Sequence, residues 1–92
     1  MSQALAKALM AFVSAMLVRL IQKSNQGFTG WDSLNEINII NRMKDKVDAV
    51  SDRYVDMIMI NPEIEKKDLV DIANFAMMLW NRHDRRRYPL TP

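Results

Sequence analysis

No cysteine occurs among the 92 residues, which excludes disulfides and thiolate metal sites and suits a reducing compartment. A single histidine, His83, is too few for a histidine-based zinc site or a His–His relay, so any metal must be held mainly by carboxylates, a donor set that favours Mg²⁺ or Mn²⁺. Only two glycines are present, Gly27 and Gly30, and both lie around one loop that reads GFTGW. No segment alternates apolar and polar residues for long enough to suggest a strand. The longest apolar run, Ala8 to Val18, contains Ser14 and stops at Arg19, short of the ~20 residues a membrane span needs. The region before Val13-Ser14-Ala15 is too short for a secretory leader. These shortages together predict a cytoplasmic protein with no membrane partner.

What is present is helical. The expected architecture is a single all-α domain over residues 1–92, with helices at about 2–24, 33–59 and 62–84 and a basic C-terminal tail over 85–92. Leu5, Leu9, Phe12, Val13, Met16, Leu20 and Ile21 recur at helical spacing and predict a core-facing stripe on the first helix. Ser33 and Glu36 fit a capping box for the second helix, whose buried side is predicted to carry Ile40, Met43, Val47, Val50, Tyr54 and Ile58. Asn61-Pro62 suits the start of the third, with Glu63 and Glu65 in its first turn. Met77 and Met78 read as core fillers, Trp31 and Trp80 more readily as packing anchors than as base-stacking platforms.

Ten of the twelve residues from Leu69 to Trp80 are apolar, and this helix is therefore expected to be buried on nearly every side. Two neighbouring helices leave one side of it open, which predicts a three-helix protomer that completes a dimeric helical bundle as a homodimer or higher homo-oligomer. Asp68, Asp71 and Asn74 form a narrow polar stripe on this otherwise apolar helix. Buried carboxylates need a partner, a metal or a proton. On the second helix, Asp45 and Asp48 repeat the same three-residue spacing, and two such pairs on adjacent antiparallel helices can present four carboxylates to one volume. The structural alternatives are that Asp45 and Asp48 belong to a solvated acidic stripe with Asp52 and Asp56, and that Asp68, Asp71 and Asn74 cap, pair with Lys44, Lys46 or Arg82, or hydrogen-bond across a dimer interface. The excess of 13 Lys and Arg over 11 Asp and Glu comes from Arg82, Arg85, Arg86 and Arg87. That cluster reads first as a solvated helix end, then as a contact to nucleic acid or triphosphate, then as a partner-binding tail.

The order GFTGW, KDKVDAV and KKDLVDIANFAMMLW resembles the phage and bacterial MazG-like all-α nucleoside triphosphate pyrophosphohydrolases. The likeness extends from Gly27 to Arg82 and is most specific from Asp71 to Met78. It implies a Mg²⁺ site at Asp45, Asp48, Asp68 and Asp71, a nucleotide contacted by Asn74, Lys44 and Trp31, and hydrolysis of a nucleoside triphosphate to the monophosphate and pyrophosphate. At three of the four carboxylate positions the family carries Glu and this chain Asp. Each exchange withdraws the carboxylate by about 1.5 Å, a large step beside Mg²⁺–oxygen distances of about 2.0–2.1 Å. The rival expectation is a catalytically silent helical module of the same kind that binds a host protein or nucleic acid.

Overall fold

The computed structural model describes residues 1–27, 34–56 and 61–86, the last three for their backbone only. Three helices account for it: α1 (Gln3–Asn25), α2 (Glu36–Asp56) and α3 (Pro62–Arg86). No strand occurs among the described residues. Ser2 caps α1 by accepting from the Leu5 N–H, and Gly27 ends it with φ +86°, the left-handed conformation that glycine adopts without a Cβ clash. The Ser33 end of the expected capping box lies outside the described residues, and a different residue caps α2. Asn35 Oδ1 accepts from the Asn38 N–H at 2.9 Å, so Glu36 is the first helical residue rather than the third. Asn61 caps α3 as expected, accepting from the Glu63 N–H. Arg85 and Arg86 continue α3 where a tail was expected, and Arg87 to Pro92 lie outside the described residues, as does Ile58.

α3 is the central element, with α2 packed along one side and α1 across another. The α2–α3 pair is antiparallel: Glu36 lies by Arg82, Lys46 by Asp68 and Asp71, and Arg53 by Glu65. At the Glu36 end the seam is apolar. Ile39, fully buried, meets Phe75 and Met78 there, with Leu20 of α1 and Leu34, Met43, Met77 and Leu79 packed around them. Toward the other end it is charged.

The side of α2 that faces α3 is displaced from the one its apolar residues suggest. Ile40, Val47 and Tyr54 are exposed, while Lys46 and Arg53 are half-buried on the seam with Ile39, Met43 and Val50. The 4,3,4,3 spacing of those five residues is a heptad pattern in which two cations stand at positions normally apolar. Acidic residues on α3 lie opposite, and their charge decides which face turns inward.

α1 departs further from expectation. Of its predicted core stripe, Met16 and Leu20 are half-buried, whereas Leu5, Leu9, Phe12, Val13 and Ile21 are exposed. The helix touches the body from Met16 onward, so its apolar N-terminal half packs against none of the described residues. Counted as a continuous 23-residue helix rather than as a run ending at Arg19, α1 is long and apolar enough to cross a membrane by length and composition. Trp80, expected as a packing anchor, is 69% exposed.

Candidate functional site

The polar stripe of α3 is buried: Asp71 is 2% exposed, and Asp68, Asn74 and Glu65 are nearly as enclosed. Its partners come from the two flanking helices. Arg19 of α1 donates from Nε to Asp71 Oδ1 at 2.9 Å, and its Nη2 reaches Asp71 Oδ2 at 3.5 Å. Lys46 Nζ of α2 stands between the two aspartates, 3.2 Å from Asp68 Oδ1 and 3.4 Å from Asp71 Oδ2. Arg53 completes the set by pairing with Glu65 and donating from Nη2 to Asp68 Oδ2 at 2.5 Å. Both oxygens of both aspartates therefore face a cationic donor. Three acids meet three cations, and each helix contributes to the pairing.

Burial alone would raise the Asp68 carboxyl, but the hydrogen bonds from Arg53 and Lys46 outweigh it and hold the group below its ordinary value. The same contacts raise the Arg53 guanidinium, those to Asp68 and Glu65 exceeding its desolvation. Beside the network, burial lowers the Lys23 ammonium, with the Asp71 carboxylate opposing that shift. Lys23 Nζ lies 5.7 Å from the centroid of the Phe75 ring. Asn74 donates from Nδ2 to the Met16 carbonyl at 3.2 Å and so fastens α1 to α3 a second time.

The expected constellation of four carboxylates does not assemble. Asp45 and Asp48 are exposed, together with Lys44, Asp52 and Asp56, and make the solvated stripe of α2. Helical geometry is the reason. With Lys46 turned toward α3, residues 45 and 48 point roughly 100° and 200° away from it. Among the described residues, no group of three or more acidic or histidine side chains is placed to hold a metal ion. Asp68 and Asp71 do lie together, but the lone pairs a Mg²⁺ would need are turned toward Arg19, Lys46 and Arg53, so the residues present do not fit the ion. Trp31 lies outside the described residues, and His83 is exposed.

No protein-family model, curated protein or solved structure matches the chain. Arg19 and Arg53 were absent from the sequence-derived set, and Lys46 entered only as a structural partner. The heptad spacing of Ile39, Met43, Lys46, Val50 and Arg53 was the legible signal for the two α2 cations, since it sets both on one face in antiparallel register with Glu65 and Asp68. Arg19 had a weaker one, as the charge that interrupts the apolar run of α1.

Proposed function

We propose that the chain is a catalytically silent helical module on a MazG-like plan, working as a dimer and binding protein, in which the acidic pair of α3 fastens the bundle. The observation that carries this reading is the pairing of Asp68 and Asp71 with Arg19, Lys46 and Arg53. A divalent ion at these oxygens would stand against three fixed positive charges at contact distance, and displacing the cations would detach α1 and α2 from α3. The Glu-to-Asp exchange at Asp68 acts in the same direction, because the shorter acid keeps its carboxylate against the α3 backbone and within reach of the long Lys46 and Arg53 side chains. Protein is favoured over nucleic acid as partner by the exposed face of α1, which from Ala8 to Val18 carries no charge.

A second reading, the Mg²⁺-dependent pyrophosphohydrolase, has one observation in its favour. Asn74 Oδ1 is buried with no hydrogen-bond donor, one turn beyond Asp71, and such an acceptor suits a cation or a water. The test is pyrophosphate release from each nucleoside triphosphate with Mg²⁺ and with Mn²⁺, beside a thermal scan of the same mixtures. The silent module gives no release above blank and no ligand-dependent shift, whereas a ligand at one hundred times its Kd adds about 2.7 kcal/mol. Pyrophosphate release that Asp71→Asn abolishes establishes the enzyme instead.

A further inference from the structure

The protomer exposes more surface than a chain of its size should. Its accessible area is 7175 Å². A folded monomer of 10.7 kDa is expected to show roughly 5,500 Å². The difference is about twice the ~800 Å² that each partner contributes to a standard interface. The radius of gyration, 15.5 Å, likewise exceeds the ~12 Å of a compact domain this long. Four buried apolar residues, Ile39, Val70, Phe75 and Met78, make up the core among the described residues.

Two stretches of the described surface are apolar and open. From Gln3 to Ser14 every α1 residue except Ala6 is exposed, so this half projects as an arm roughly 18 Å long. Leu5, Leu9 and Phe12 continue, at 4,3 spacing, the stripe whose later members Met16, Arg19 and Lys23 rest on the body. The second is the side of α3 that neither α1 nor α2 covers. Leu69, Ala73, Ala76 and Trp80 line it at 4,3,4 spacing, over a length that matches the arm. Trp80 and Phe12 alone leave roughly 200 Å² of aromatic surface open.

We infer that the occupant of each surface is the other one on a second copy of this chain: the arm of one protomer lies along the open face of the partner's α3, and the exchange is reciprocal. The spacing is the same on both surfaces, and the sizes complement. Leu9 and Phe12 are large at the centre of the arm, and Ala73 and Ala76 are small at the centre of the face, so knobs meet holes in either helix direction. Reciprocity follows from two-fold symmetry, which buries both surfaces on both copies. This inference deepens the reading of the chain as a dimeric module and rests on it.

Light scattering on the full chain at micromolar concentration should give twice 10.7 kDa. Leu9→Glu and Ala76→Glu should each weaken the dimer by at least about tenfold. Because the chain contains no cysteine, cross-linking reads the contact directly without relying on those variants folding. Leu9→Cys protein mixed with Ala73→Cys or Ala76→Cys protein should form a mixed disulfide dimer in at least one pairing, since bridged residues lie within about 7 Å. A monomeric wild type overturns the inference, as does a Leu9→Cys that couples only to itself, the mark of arms paired with each other. A monomer that binds phospholipid vesicles overturns it in favour of a lipid occupant for the arm. Pyrophosphate release measured on the same samples keeps the two readings apart: a silent dimer in which Leu9→Cys couples to neither Ala73→Cys nor Ala76→Cys fails this inference alone, a silent monomer fails it together with the dimeric part of the reading it rests on, and an active arm-exchanged dimer fails only the silence of the module.

Discussion

Replacing Arg19 by Met keeps most of the apolar stem and removes the charge that joins α1 to Asp71. The Asp71 carboxylate is almost fully buried, and removing one partner of such a pair costs about 3–5 kcal/mol because the other charge is left without compensation. Two features reduce that figure here. Lys46 remains 3.4 Å from Asp71 Oδ2, and the Arg19 side chain is partly exposed. The expected loss is therefore about 2–3 kcal/mol, or roughly 10–20 °C in Tm for a domain of this size. Chemical denaturation at one fixed protein concentration gives the magnitude, because a dimer's stability depends on concentration. Asp71→Asn should also destabilise, since it leaves Arg19 and Lys46 facing an amide. This reverses what two unneutralised aspartates would predict, namely relief of repulsion. The double variant should lose less than the two single losses combined, with a coupling of about 1–3 kcal/mol. An Arg19→Met loss below about 0.5 kcal/mol, with additive variants, would refute the fastening role. So would a Mg²⁺-dependent stabilisation of the wild type.

Asp68 supplies a pH test. Its carboxyl is held below the ordinary 3.8, so the unfolded chain binds more protons as the pH falls; the stabilisation is complete above that value and is lost as pH drops through the lower folded one. Melting temperatures measured from pH 2 to 5 should show an acid limb that Asp68→Asn flattens. Gly27→Ala should cost about 1–2 kcal/mol through its positive φ, since a Cβ there meets nothing within 4 Å, and denaturant melts will show it. Phe75→Ala should cost about 3–5 kcal/mol in the same assay, because Phe75 is one of few enclosed apolar side chains.

The sequence by itself determined the helices. Asn61-Pro62 and Gly27 fix ends through local hydrogen bonding and backbone freedom, effects contained within a few residues, and the absence of alternation left no strand to place. It also marked Asp68, Asp71 and Asn74 for enclosure, as the polar stripe of an otherwise apolar helix, but which side of α3 stays open, the one through Leu69, Ala76 and Trp80, was decided by where α1 and α2 pack. Which side of α2 turns inward was decided by the tertiary structure. The apolar pattern of Ile40, Val47 and Tyr54 competes with the seam through Lys46 and Arg53, whose acidic partners Glu65, Asp68 and Asp71 stand on another helix. The fate of the carboxylates followed from that choice: one face of a helix cannot present Lys46 to α3 and Asp45 and Asp48 with it. The sequence showed that α1 is apolar, since hydropathy is a property of composition. Tertiary structure decided that, among the described residues, it finds a surface from Met16 onward, because Met16 and Arg19 dock on α3 and the helix before them is exposed.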